Sequence, residues 1–273
     1  MQARIQWTAP TGALGRLTER ARERAGSLGD LRQWEDRALS ADAGPSLIAA
    51  LKSNTVSVIA EIKRRSPSKG ALDEYMDAGE RARLYAEGGA SALSILTEPS
   101  EFGGSLDDLR IARSTTSLPL LKKDFHVHPV QLFEARAAGA SAVLLIVRAL
   151  GPDDTKIMAD AASEAGIEAV FEVRDETELT WALDARATVI GVNRRNLETL
   201  EMEDGVVEQL IPEIPPYLFA VAESGISTRR DVERAAELGA DAVLVGSSLS
   251  LAANPKDAVA HLAGVARRVG ARG

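Results

Sequence analysis

Charged and amide side chains follow directly on apolar runs at several places in the chain. Glu61 and Lys63 come after VSVIA, Lys123 after LPLL, and Glu172 lies inside AVFEV; Asn193 and Arg195 follow VIGV, and Glu223 with Ser224 follows LFAVA. Taken singly, a charge at such a place is ordinarily solvated or ion-paired. Lysines and glutamates gathered out of bulk water are instead a way to prepare a proton donor and a proton acceptor near neutral pH. Convergence of this kind is expected to lower lysine pKa values and raise some of the carboxylates. Side chains alternate along an extended strand, so Glu61 and Lys63 share a face, as do Asn193 and Arg195.

A second signal concerns anions. Ser224-Gly225-Ile226-Ser227 leads through Thr228 into RRDVERAAELG, and Gly246-Ser247-Ser248-Leu249 follows AVLV. Glycine lets the backbone approach a bound group closely, and the first N–H groups of a helix have no partner within it, so such loops suit a phosphate. The loop RRSPSKG at 64–70 is a third candidate. His126 and His128 form a lone His-x-His with no partner cluster and read as loop polarity. Phosphate-loop, zincin and Gly-x-Ser-x-Gly patterns are missing.

These residues need elements to position them. Eight apolar runs of strand length recur, VSVIA (56–60), ALSIL (92–96), LPLL (118–121), AVLLIV (142–147), AVFEV (169–173), VIGV (189–192), LFAVA (218–222) and AVLVG (242–246). They are nearly continuous in apolar residues, as parallel strands covered on both faces are. Their mean spacing of about 26 residues leaves room for a loop and a three-turn helix. GERARLYAEGGA, HPVQLFEARAAGA, DDTKIMADAASEAGI and RRDVERAAELGADA carry small or apolar residues at helical spacing. Each ends at glycine (Gly88/Gly89, Gly139, Gly166, Gly239), suited to a left-handed C-terminal cap. Eight such units without linkers predict an α/β fold, a closed (β/α)8 TIM barrel, with the active site at the C-terminal ends of the strands. An open doubly wound sheet is the alternative, but its Gly-x-Gly-x-x-Gly is absent. Residues 1–47 read as an N-terminal helical extension, with Leu14, Leu17, Ala21, Ala25 and Leu28 near one face, capping one end of the barrel or helping to close the site. Residues 48–273 read as the barrel, in a single domain overall.

Composition excludes several functions. The 273 residues hold 32 Lys plus Arg against 40 Asp plus Glu, a net charge of −8, three histidines and no cysteine. Disulfides, thiolate metal centres and cysteine nucleophiles are ruled out. The acidic balance opposes bulk nucleic-acid binding. Met1 to Pro10 has no apolar signal core, and the longest apolar stretch, 142–147, stops at Arg148. No membrane association and a cytoplasmic location are therefore expected.

The segments VIAEIKRRSPSKG, SILTEPSEFGGS, LLKKDF, VFEV, IGVNRRNLETLE, VAESGIS and LVGSSL resemble the indole-3-glycerol-phosphate synthase family of tryptophan biosynthesis, in the family's order, over roughly residues 46–255. The resemblance implies a carboxy-lyase that closes the ring of 1-(2-carboxyphenylamino)-1-deoxyribulose 5-phosphate to give indole-3-glycerol phosphate, losing carbon dioxide and water, with no metal or organic cofactor. It further implies Lys123 as general acid, Glu172 as general base in the dehydration, and Lys63 as partner of the substrate carboxylate. Glu61 and Asn193 would orient substrate hydroxyls and lysines, Glu223 with Ser224 would be the catalytic pair of the seventh strand, Arg195 would lie near the anthranilate carboxylate, and Phe102 would wall the aromatic ring. Ser66, Gly225, Gly246 and Ser247 would hold the phosphate. Where the family usually has Asn-Asn-Arg, this chain has Asn193-Arg194-Arg195, so two arginines compete for one role. The loop after Gly70 lacks the family's usual Asp-Pro. The expected partner is a small phosphorylated substrate, with the chain a monomer or weak dimer. Another phosphosugar isomerase barrel, a Schiff-base aldolase using Lys63 or Lys123, or a non-catalytic phospho-ligand barrel stay open as alternatives.

Overall fold

The computed structural model describes residues 7–42, 44–268 and 270–272. All eight apolar runs become parallel strands: β1 (Ser57–Ile62), β4 (Ala92–Leu96), β5 (Leu120–Lys123), β6 (Ala142–Ile146), β7 (Glu168–Val173), β8 (Val189–Asn193), β9 (Phe219–Glu223) and β10 (Ala242–Val245). They close into one barrel because β1 pairs with both β4 and β10. Between β1 and β4 the RRSPSKG loop folds into a small antiparallel ribbon, β2 (Arg65–Ser66) with β3 (Gly70–Ala71).

One strand starts later than its apolar run. Pro119 has no N–H to donate, so β5 begins at Leu120, while the Pro119 carbonyl accepts from Leu93 N at 3.0 Å. The shift carries Lys122 and Lys123 into the strand and fixes which of them faces inward.

The expected helices are present as α4 (Ala78–Glu87), α6 (Val130–Ala137), α7 (Val147–Glu164) and α10 (Arg229–Leu238), joined by α5 (Leu106–Thr115), α8 (Glu176–Asp184), α9 (Val206–Leu210), α11 (Ser247–Ser250) and α12 (Pro255–Leu262). Gly89, Gly139, Gly166 and Gly239 all adopt positive φ after their helices, whereas Gly88 stays right-handed. α7 starts before the DDTKIMADAASEAGI segment, directly after β6, and is interrupted at Gly151 (φ 73°). A β-carbon at Gly151 would press on the Trp7 ring, so this break seats the first described residue of the chain.

Two apolar layers result. One lies between strands and outer helices and includes Val58, Leu93, Val143, Ile190 and Val243. The other fills the barrel with Ile59, Leu121, Leu144, Val170, Val189, Val221 and Leu244. The amino-terminal helices α1 (Gly12–Ser27) and α3 (Leu47–Leu51) extend the inner layer at opposite ends, while α2 (Leu31–Ser40) packs on α6 and joins the outer layer through Ala38. Leu14, Leu17 and Ala21 of α1 join the inner layer with Phe125 and Ile146 at the C-terminal ends of strands. Arg24 of α1 binds Asp124 (2.6 Å) and Glu98 (3.4 Å) there. α3 sits at the opposite end, where Glu168, at the start of β7, accepts from Ser46 Oγ and Ile48 N.

Candidate active site

The strand ends surround a cavity of about 380 Å³, in the size range of small-molecule sites. Strand alternation selects its residues. Glu61 and Lys63 both face it and form an ion pair of 2.6 Å, while Ile62 between them joins the outer core. Lys123 faces the cavity, whereas Lys122 points the other way and pairs with Glu134 of α6 at 2.7 Å.

Lys123 Nζ lies 3.0 Å from Glu172 Oε2 and 2.8 Å from Glu223 Oε2, bridging β5, β7 and β9. Burial disfavours the ammonium, but Glu172, Glu223 and Glu61 together outweigh it and hold the Lys123 pKa above its ordinary value. This corrects the expectation that convergence lowers lysine pKa values. Three carboxylates face this ammonium, and electrostatic attraction from that many neighbours exceeds the desolvation cost. Glu223 moves as expected: burial pushes its carboxyl up, Lys123 pulls against that, and the Glu172 and Glu61 charges push with it.

The β8 and β9 ends lock to each other. Asn193 is in register with Glu223, and its Oδ1 accepts from Ser224 Oγ at 2.8 Å and from Arg195 N at 2.9 Å. Ser224 and Gly225 both have positive φ, 67° and 81°. For serine this costs on the order of 1 kcal/mol, held here by the surrounding contacts. The turn keeps Ser224 on Asn193 and brings Gly225 to the cavity wall.

The glycine and serine loops line one side of the cavity. Ser66, Lys69, Gly225, Gly246 and Ser247 are all on its surface, and Ser248 Oγ donates to the Ile226 carbonyl at 3.2 Å, tying the loops after β9 and β10 together. A β-carbon at Gly246 would collide with the Glu61 carboxylate and lie 2.8 Å from Lys63 Nζ. Glycine is required there so that the loop can pass over the ion pair.

The opposite wall is apolar. Phe102 and Phe125 pack at 6.4 Å between ring centroids, with Leu144, Ile146 and Leu197 nearby. Glu98 shapes this wall from behind, accepting from the N–H groups of Ser100, Glu101 and Phe102. After β8 the chain doubles back so that Arg195 bridges to Met202, and Arg195 Nη1 donates to the Leu200 carbonyl at 2.7 Å. Arg195 lines the cavity; Arg194 is not on its surface and pairs with Asp204.

The family model described as Indole-3-glycerol phosphate synthase matches residues 18–262. The chain belongs to the indole-3-glycerol phosphate synthase family. It is 47% identical over 232 residues to "Indole-3-glycerol phosphate synthase 1" of Streptomyces coelicolor, covering 85% of this chain and 86% of that one. It is 48% identical over 252 residues to the Nocardioides sp. protein named "Indole-3-glycerol phosphate synthase", covering 92% and 95%. Among solved structures, 3-hexulose-6-phosphate synthase from Salmonella typhimurium matches with a TM-score of 0.60 at 16% identity, over 76% of this chain and 96% of that one. At that identity the likeness shows the barrel fold alone.

All the site residues inferred from resemblance to indole-3-glycerol phosphate synthases line this single cavity. Asp124 and Ser248 line it as well, but other polar strand-end residues do not. Lys122 and Glu98 face away, and Arg148 binds Glu198 at 3.2 Å beside the mouth. His126 is not loop polarity: it is buried, its Nδ1 lies 2.8 Å from the Leu144 carbonyl, and burial pushes its pKa down to about 3. His128 Nδ1 accepts from Val130 N at the start of α6. Phe125, Leu144, Leu244, Leu200 and Met202 line the cavity without having been singled out. Alternation gave a signal for two of them, since Phe125 is two residues beyond Lys123 and Leu244 two before Gly246. Leu200 and Met202 depend on the Arg195–Met202 doubling back, which no spacing in the sequence announces.

Proposed function

We propose that the protein closes the ring of 1-(2-carboxyphenylamino)-1-deoxyribulose 5-phosphate, releasing carbon dioxide and water to give indole-3-glycerol phosphate. One observation carries this assignment: the Lys123 ammonium, held between Glu172 and Glu223, sits between an aromatic wall and a glycine- and serine-lined loop pair. The three regions match the three parts of that substrate, a ketose carbonyl, a carboxyphenyl ring and a phosphate.

In the first step the aromatic carbon attacks the ribulose carbonyl, whose oxygen gains negative charge. Lys123 donates a proton to it, and Glu223 and Glu61 orient the ammonium. Lys63 and Arg195 pair with the anthranilate carboxylate beside the Phe102 wall. Carbon dioxide leaves when aromaticity is restored, and weak solvation of the carboxylate in an apolar-walled pocket favours its departure. Glu172 then takes a proton from the intermediate as base in the dehydration and Lys63 gives one to the departing hydroxyl, which leaves as water, while Asn193 and Ser224 hold the hydroxyl-bearing chain. Ser66, Gly225, Gly246 and Ser247 hold the phosphate. These groups supply acid, base and charge pairing from side chains alone, with no cofactor invoked.

A Schiff base at Lys123 is disfavoured by the same electrostatics. That chemistry needs a neutral amine, and the three carboxylates stabilise the ammonium. We further read residues 1–47, of which 1–6 and 43 lie outside the described residues, as a helical extension of the same single domain. We place the enzyme in the cytoplasm as a monomer or weak dimer, free of nucleic acid and membrane; no described helix is long and apolar enough to cross a membrane.

The test is turnover of the authentic substrate followed by indole fluorescence, with borohydride added in a parallel reaction. Indole formation without covalent labelling of lysine is expected. Labelling, or absence of indole product, overturns the assignment.

A further inference from the structure

A second cavity, of about 20 Å³, shares Glu172, Asn193 and Arg195 with the main one and extends to Arg148, Arg174, Glu178 and Glu198. That volume is room for one water molecule. Glu178 is the group in its wall that the reaction scheme leaves unused. It occupies the first turn of α8, where Asp175 caps Glu178 N and Glu178 Oε2 accepts from Arg174 N at 2.8 Å. Its other oxygen, Oε1, is buried and has no hydrogen-bond partner among the described residues. A buried carboxyl oxygen without a partner is costly, and an adjoining cavity of this size offers a water to satisfy it.

The other charged groups around the small cavity are engaged. Arg148 pairs with Glu198 at 3.2 Å, Arg174 with Glu203 at 3.0 Å, and Glu172 with Lys123 at 3.0 Å, while Arg195 donates to the Leu200 carbonyl. Burial pushes the Glu178 carboxyl up to about 7; the Asp175 charge adds to this, and Arg174 and Arg148 oppose it. A group poised there exchanges protons readily at neutral pH. Glu172 itself is buried, and substrate in the main cavity would cover its open side, leaving the small cavity as its other neighbour.

We propose that Glu178 is the proton acceptor that empties Glu172, through one water molecule held in this small cavity. The scheme rests on Glu172 acting as the dehydration base. Glu172 takes a proton from the intermediate and passes it to the water, and the water gives one of its own protons to Glu178 Oε1. The water is unchanged, Glu172 is again a carboxylate, and Glu178 is a carboxylic acid that returns its proton to solvent before the next turnover. Glu178 never touches substrate and is a positioning residue in this scheme, acting only through Glu172.

Steady-state kcat for formation of the fluorescent indole product, measured from about pH 5 to 9 on the whole chain, tests this, because Glu172 must be emptied in every cycle. The wild-type rate should rise through a limb near pH 7, set by Glu178. E178Q keeps an oxygen for the Arg174 N–H but cannot take the proton; it should lose that limb and react about tenfold more slowly on the alkaline side. E178D withdraws the carboxyl by one methylene and should slow the rate and move the limb. A wild-type rate and limb in either folded variant, with E172Q impaired, overturns the relay. A wild-type rate in E172Q instead removes Glu172 as base, and the relay with it. A purely structural Glu178 would lower the melting temperature of these variants and leave the limb in place.

Discussion

The Lys123 ammonium stands 2.8 Å from the Glu223 carboxylate, though 100 residues separate them in the chain. Each determines the state of the other. Glu223, with Glu172 and Glu61, keeps Lys123 charged despite its burial, so the residue enters the reaction as a proton donor and not as an amine nucleophile. Lys123 in turn limits how far burial raises Glu223. Neither residue would have this character at the same depth alone.

Lys123→Ala should lower kcat by about 100-fold or more, the scale of a positioned proton donor. Steady-state kinetics by indole fluorescence reads this directly, and near-normal turnover would remove Lys123 from the acid role. The variant also leaves Glu172 and Glu223 facing each other without their cation, so its melting temperature should fall at neutral pH and recover partly as the pH is lowered.

The two adjacent arginines should separate cleanly. Arg195→Met removes a half-buried charge from the cavity wall and should reduce kcat/KM by about 10-fold or more, the usual loss for a hydrogen bond to a charged group. Arg194→Met removes a pair with Asp204 outside the cavity surface and should stay within about twofold of wild type. Equal losses in both would mean that the guanidiniums exchange places when substrate binds.

Gly246→Ala tests packing with little backbone strain, because φ at Gly246 is −118°. The added methyl collides with Glu61 and crowds Lys63. A destabilisation of about 1–3 kcal/mol is expected from overpacking, together with a rise in KM as the β10 loop shifts. Unchanged denaturation and KM would show that the ion pair yields without consequence.

His126 should contribute to acid sensitivity. Its folded pKa is depressed to about 3 from an ordinary 6.5, so the unfolded chain takes up this proton first. Stability from this group is full above about pH 6.5 and is lost as pH falls towards 3. His126→Asn keeps an N–H donor for the Leu144 carbonyl but cannot titrate. Chemical denaturation across that window should show a shallower decline with pH in the variant; parallel curves would assign the sensitivity to other groups.

Much of this is legible in the sequence. Near-continuous apolar runs with glycine-terminated helical segments between them specify parallel strands covered on both faces, and eight of them imply closure. Alternation then assigns Glu61 with Lys63, and Asn193 with Arg195, to common faces. These are local relationships, governed by backbone geometry over a few residues. The break of α7 at Gly151 and the turning of Arg194 towards Asp204 are not legible, because each is decided by a partner, Trp7 or Asp204, that meets it only in the folded chain.

By itself the sequence determined which side chains stand at the strand ends and which of them share a face, since both follow from the two-residue repeat of a strand. Only the tertiary structure decided their protonation. The direction of the Lys123 shift depends on how many carboxylates approach it against how much water is removed, and that balance is set by β1, β7 and β9 closing around β5. That Glu178 is buried and lines a small cavity together with Glu172 likewise depends on α8 folding back against the barrel end.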